Sequence, residues 1–202
     1  MFQENEFKDK SICTVGNAPS ILHKENGKLI DSHDYVIRFN RYDVENYTKN
    51  TGKKTDIWVT NFDTITHTSQ EHKFSTTSKV YILGAYQDFD GTFNKFEPYV
   101  TKFLKYQNTS FVSKQHLKDI ENFNRTKYIF TSGLVTIISL IEFCNIPKLY
   151  ITGFDFLKNK RDLHYFEKCE RVDLESKHRK HDSDVEKQIV EEYIRNGRIT
   201  II

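Results

Sequence analysis

Residues 12–40 limit the fold more tightly than any other stretch of the chain. An apolar run over Ile12–Val15 reads as a buried strand. It breaks at Gly16-Asn17-Ala18-Pro19-Ser20, residue types that tight strand-to-helix turns favour. A second strand follows over Tyr35–Phe39 and closes at Asn40. Strand, glycine turn, short helix and strand form the mononucleotide-binding half of a doubly wound α/β fold. Backbone N–H groups at such a turn and at the next helix N-terminus can hold a phosphate. The spacing is not G-x-G-x-x-G, so the turn alone fits an ordinary βα connection equally well.

The remaining pattern continues the alternation. Strands are expected over 56–60 (ending in Asn61), 79–83, 128–130, 148–152 and 198–202. Helices are expected over 94–107, where Phe96, Val100, Phe103 and Leu104 recur at helical spacing, and more weakly over 114–123. The apolar stretch 134–144 follows good N-cap residues and reads as a buried helix, and a last helix is expected over 183–196. Segments 41–55 and 157–180 look loop-like, and 62–126 has little period, which suits an acceptor or lid region. The expectation is a flexible leader over 1–10 and one Rossmann-like α/β domain over 11–202. Its sheet is mostly parallel and twisted, with helices on both faces.

At 202 residues the chain can build one real core, and 16 Phe and 11 Tyr offset a hydrophobic fraction of 37%. Lys+Arg total 30 against 28 Asp+Glu, which gives no basic excess and no expectation of a nucleic-acid partner. No apolar run approaches the roughly 18–20 residues of a membrane helix. The first ten residues are polar, and three cysteines suit a reducing compartment. A cytoplasmic protein, soluble or peripherally membrane-associated, is expected.

Four stretches in order resemble the sialylmotifs of the animal-type sialyltransferase family. Residues 13–40 resemble the large motif, through Gly16-Asn17, Ile30-Asp31-Ser32-His33-Asp34 and Arg38-Phe39-Asn40, with Lys53-Lys54-Thr55-Asp56 as its usual continuation. Thr131-Ser132-Gly133-Leu134, through Cys144 to Gly153-Phe154, resembles the small motif. His164-Tyr165-Phe166-Glu167 resembles the third motif, and His181 with Glu186 the very small motif. The Gly16–Ser20 turn and Gly153-Phe154-Asp155-Phe156 are also similar to a smaller bacterial sialyltransferase family. The family's disulfide would join Cys13 to Cys144. Cys13 sits one position nearer the Gly-Asn than that pattern, however, and a one-residue shift turns a strand side chain to the other face, so the bond is not expected here.

The resemblance implies metal-independent, inverting transfer of a sialyl group from CMP-sialic acid to an acceptor glycan, with no cofactor. In that reading His181 is the general base, and His164 and Tyr165 hydrogen-bond or protonate the departing phosphate. His181 precedes Ser183-Asp184-Val185-Glu186, a capping-box pattern, and a helix N-terminus favours the neutral imidazole that a base needs. Thr131, Ser132 and Gly133 open a helix where hydroxyls and N–H groups can take the donor's carboxylate. Gly16, Asn17, Ser20, Asn40, Asn61, Gly153, Asp155 and Phe156 fall at strand carboxyl ends, the edge where open α/β sheets bind ligands. The bland readings are helix caps, turn asparagines and solvated histidines.

Asp88-Phe89-Asp90 and Asp182-Ser183-Asp184 match the DxD pattern of metal-dependent glycosyltransferases but read as a turn and a helix cap, and Cys169 lacks zinc spacing. The rivals are the same fold with CMP-Kdo or a metal-dependent nucleotide sugar, a non-catalytic glycan- or nucleotide-binding module, and a pyrophosphokinase-like enzyme that would leave the histidines unexplained.

Overall fold

The computed structural model describes residues 2, 5–61, 79–83, 109–123, 129–156, 164–166 and 181–202. Seven strands make one sheet: β1 (Ile12–Val15), β2 (Tyr35–Phe39), β3 (Ile57–Asn61), β4 (Lys79–Leu83), β5 (Thr109–Phe111), β6 (Leu149–Thr152) and β7 (Ile199–Ile201). Their order is β5-β4-β3-β2-β1-β6-β7, and every pairing is parallel. Successive strands step outward from β1 to β5, and then the chain returns to the other side of β1 as β6. That reversal is the topological switch point, where the connections diverge and leave a crevice at the strand carboxyl ends.

The strands are near-continuous apolar runs because helices cover both faces. On one face Ile12, Ile37, Ile57, Val59, Leu149 and Ile151 share a core with helices α3 (Lys114–Glu121), α4 (Ser132–Ile138) and α5 (Ser183–Arg195). On the other, Cys13, Val15 and Val36 pack with Ile21 of the 3-10 turn Pro19–His23 and Ile30 of α1 (Gly27–Asp31). Cys13 and Cys144 therefore belong to opposite layers and are not joined by a disulfide. Arg38 is buried in β2. Its guanidinium donates to the Thr51 and Lys54 carbonyls (2.6 and 3.0 Å) and to the Thr55 hydroxyl (3.1 Å). Those bonds fix the turn that feeds β3.

The structure departs from the sequence expectations at six places. Described residues of the leader pack against the sheet: Phe7 and Phe2 are buried, with rings 5.1 Å from Tyr35 and 4.7 Å from Tyr81, and Glu6 pairs with Lys79 at 2.6 Å. Two aromatic rings outweigh the polar composition around them. The segment 41–55 contains a short helix, α2 (Thr48–Thr51), and β5 was not anticipated. Ile129 and Phe130 are not in a strand; the Ile129 carbonyl meets the His181 ring, and the next residues lead to Thr131, whose N–H meets Glu186. The helix expected over 134–144 starts at Ser132 and turns into a π-helix over Ser139–Phe143. Finally, the cap of α5 is Asp182, whose carboxylate accepts from the Val185 N–H at 3.1 Å, one residue before the expected Ser183. The helix expected over 94–107, most of the expected lid, Asp88, Asp90 and Cys169 lie outside the described residues.

Candidate functional site at the switch point

The floor of the crevice is a contact between two turns. Gly16, leaving β1, donates its N–H to the Thr152 carbonyl at 2.8 Å, and the Ala18 N–H reaches the Gly153 carbonyl at 3.0 Å. A Cβ on Gly16 would lie 2.2 Å from the Gly153 oxygen, and Gly153 has a φ of +70°, so glycine is needed on both sides. Phe154 stands on this floor. A Cβ on Gly133 would come within 2.6 Å of its ring, which is how the N-terminus of α4 is brought down onto the same edge. The ring also meets Phe39 edge-on, at 5.9 Å. Gly16 and Gly133 thus both face the ring of Phe154, the residue that follows Gly153.

The asparagines line the same edge with defined polarity. Asn17 Nδ2 donates to the Phe39 and Arg41 carbonyls, both at 2.9 Å. Carbonyls only accept, so the amide orientation is fixed and Oδ1 remains as its acceptor. Asn40, with a φ of +48°, does the reverse: its Oδ1 accepts from the Asn61 N–H at 3.3 Å, which leaves Nδ2 as a donor. Trp58 holds the Asn40 carbonyl at 2.8 Å. Ser20 and Asp155 are brought together differently from the expectation. The Ser20 N–H donates to the Asp155 carboxylate at 3.1 Å, so these two groups satisfy each other. Phe156 follows with a φ of +50°.

Tyr165 is a clamp. Its N–H donates to the Asn17 carbonyl at 2.9 Å. Its hydroxyl donates to the Asp43 carbonyl at 2.6 Å and accepts from the Asp43 N–H at 2.9 Å. Burial pushes the phenol up to about 12, ahead of the opposing Asp43 bond and Arg38 charge. The hydroxyl expected near the phosphate is therefore spent on the backbone. The clamp carries its neighbour His164 to the Gly16–Asn17 turn, and the His164 ring lies parallel to Phe166, with centroids 5.4 Å apart.

A second wall is built where the segment before α4 meets the start of α5, and His181 belongs to it. Its Nδ1 donates to the Ile129 carbonyl at 2.6 Å. Since that oxygen only accepts, the proton of the neutral ring is on Nδ1, and Nε2 carries the lone pair. Glu186, expected in a capping box, instead crosses to the other helix. Buried at 4% exposure, its carboxylate accepts from the Thr131 N–H at 2.6 Å and the Thr131 hydroxyl at 2.7 Å. Burial pushes this acid up to about 7 against the lowering effect of the Thr131 bonds. Thr131 also caps α4 through the Leu134 N–H at 3.3 Å. The link was not legible because its partners lie 55 residues apart and each has a satisfactory local explanation as a cap. Among the described residues, no three His, Cys, Asp or Glu side chains gather as a metal site, and no helix is long and apolar enough to cross a membrane.

This arrangement defines a doubly wound α/β protein whose polar side chains gather at the strand carboxyl ends around the switch point. The chain belongs to glycosyltransferase family 29 (sialyltransferase), whose family model matches residues 3–198. It is 28% identical over 161 residues to the β-galactoside α-2,6-sialyltransferase 2 of Rattus norvegicus, an alignment covering 70% of this chain and 31% of that protein. A β-1,6-galactosyltransferase of Arabidopsis thaliana is 22% identical over 189 residues, covering 81% of this chain and 46% of that one. The chain therefore spans about a third to a half of these relatives. Its fold matches a mammalian sialyltransferase crystallised with Gal-β-1-3GalNAc-ortho-nitrophenol at a TM-score of 0.69 and 16% identity, covering 96% of this chain and 69% of that one. It also matches the sialyltransferase CstII from Campylobacter jejuni, in complex with cytidine-5'-monophosphate, at a TM-score of 0.60 and 17% identity, covering 96% and 79%.

Proposed function

We propose that the chain transfers sialic acid from CMP-sialic acid to a glycan hydroxyl with inversion and without a metal, using His181 as the base. The observation that carries this reading is the Nδ1 bond of His181 to the Ile129 carbonyl. With the proton on Nδ1 the ring's lone pair is on Nε2, which takes the proton from the acceptor hydroxyl as that oxygen forms its bond to the anomeric carbon. The anomeric bond to CMP breaks on the opposite face, and the phosphate leaves with the electron pair. His164, on the turn held by Tyr165, is suited to hydrogen-bond or protonate that phosphate. The spare donor of Asn40 fits a phosphate oxygen, and the spare acceptor of Asn17 fits a ribose hydroxyl or the cytosine amine. The donor carboxylate is assigned to Ser132 and the first turn of α4, because Glu186 occupies the N–H and hydroxyl of Thr131.

The test is release of CMP from CMP-sialic acid with excess chelator. Free CMP is expected even without the true acceptor, because water substitutes for it. His181→Ala should lower the rate by about 10²–10⁴-fold. An undiminished rate in that variant would rule out the assigned base, and loss of turnover on chelation would rule out metal independence.

A change of donor is the second reading, favoured by the family relative named as a galactosyltransferase. Parallel assays with CMP-Kdo and with UDP-galactose, each with and without Mn²⁺, decide it.

A further inference from the structure

We infer that Glu186 is a positioning residue that fixes the orientation of His181 through the backbone of residues 129–131. This rests on the reading of His181 as the base. Two side chains from the start of α5 reach the same short segment. His181 binds the Ile129 carbonyl, and five residues on, Glu186 binds the N–H and hydroxyl of Thr131. Between them, Asp182 pins the start of α5 through the Val185 N–H. The chain and these bonds form a closed loop, from α5 through Glu186 to Thr131, back to Ile129, across to His181 and into α5 again.

One hydrogen bond between two segments lets each rotate about it, whereas two separated bonds remove that freedom. Among the described residues Ile129 is in no strand, and its carbonyl, which sets the His181 tautomer, is met by the His181 ring. Glu186 supplies the second bond, and the core supports it: Glu186 is buried beside Ile189 and Val190, and Thr131 caps a helix whose residues 133–138 are all buried. A carboxylate has both the reach and the two acceptor atoms for this grip. Glutamine keeps one acceptor for the Thr131 N–H but cannot accept from its hydroxyl as well without reorganisation. Alanine loses both.

The experiment reads the imidazole directly, so that it does not depend on which donor the protein uses. Long-range ¹H–¹⁵N spectra of the imidazoles, with His181→Ala identifying the signal, should show the wild-type His181 ring in the Nδ1–H form. In Glu186→Ala the ring should average between tautomers, while His116 keeps its signals as an internal check of folding. Glu186→Gln should be intermediate. In CMP-release assays, Glu186→Ala should lose about 10²-fold in kcat, the scale of a misplaced catalytic group. Glu186→Gln should lose about tenfold, with KM for the CMP-sugar moving less than about twofold in both. A folded Glu186→Ala protein whose His181 stays in the Nδ1–H form overturns the inference. If the wild type releases no CMP from any CMP-sugar, the functional reading fails instead, and the spectra still decide the role of Glu186.

Discussion

The two walls of the crevice are built on different principles. The wall around Gly16, Asn17, Asn40 and Gly153 is backbone. Its turns touch through missing side chains, and its amides are held by carbonyls and N–H groups of neighbouring strands' ends. The wall around His181, Thr131 and Glu186 is made of side chains reaching between two helix starts. A backbone wall can be lost but not easily tuned, because any added atom meets main chain. A side-chain wall can be tuned one atom at a time, and its buried acid ties it to pH. In the proposed function the first wall binds the nucleotide and the second transfers the proton.

The sharpest way to break this contrast is to crowd the backbone wall. Gly16→Ala places a Cβ 2.2 Å from the Gly153 oxygen and forces apart the turns that share two N–H bonds. The expected cost is about 4 kcal/mol, from overpacking plus lost hydrogen bonds. That corresponds to a melting temperature lower by roughly 8–16 °C and to loss of CMP binding by calorimetry. A variant with normal melting and CMP affinity would mean the wall can yield.

The side-chain wall should respond to pH. The Glu186 carboxyl rises from 4.5 to about 7 on folding, so the folded protein binds this proton more tightly than the unfolded chain. The favourable contribution is complete below about 4.5 and is lost as pH climbs through about 7. Across that window it amounts to on the order of 3 kcal/mol. Denaturant titrations from pH 4 to pH 8 should show this component in the wild type and not in Glu186→Gln. Equal slopes in the two proteins would separate the acid from the stability of this wall.

Tyr165→Phe tests the join between the walls and the third-motif turn. It deletes a hydroxyl bonded to both backbone groups of Asp43 and leaves a part-buried N–H unmet, at about 2 kcal/mol. If Tyr165 is a clamp for His164, kcat should fall several-fold more than CMP affinity. Should affinity fall instead, the phenol belongs to the ligand site after all.

Much of the fold was legible because parallel inner strands are buried on both faces and announce themselves as apolar runs. The run Ile12–Val15 and its glycine turn are the clearest case. The strand β5 was not legible: its three residues, Thr109–Phe111, carry no such run and are defined by their register against Val80–Ile82 of β4. The cap of α5 was misplaced by one residue because Asp182 and Ser183 are both good capping residues, and only the bond to Val185 separates them. Gly16, Asn17, Asn40, Gly153 and His181 could be placed at turns and helix starts because turn chemistry and motif spacing are local properties. The bonds of the Tyr165 hydroxyl to Asp43 were not legible, since a phenol's partner in a loop cannot be read from its neighbours.

The sequence by itself determined the βα alternation, the glycine turn, the asparagines at strand ends and the family to which the chain belongs. These depend on periodicity and on the residue types each turn accepts, which act over a few positions. Only the tertiary structure decided that Gly16 rests on Gly153, that the amides of Asn17 and Asn40 have opposite polarity, and that Glu186 abandons its own helix cap for Thr131. The physical reason is competition. A buried polar group takes whichever partner packing brings within reach, and that choice is made between segments far apart in the chain.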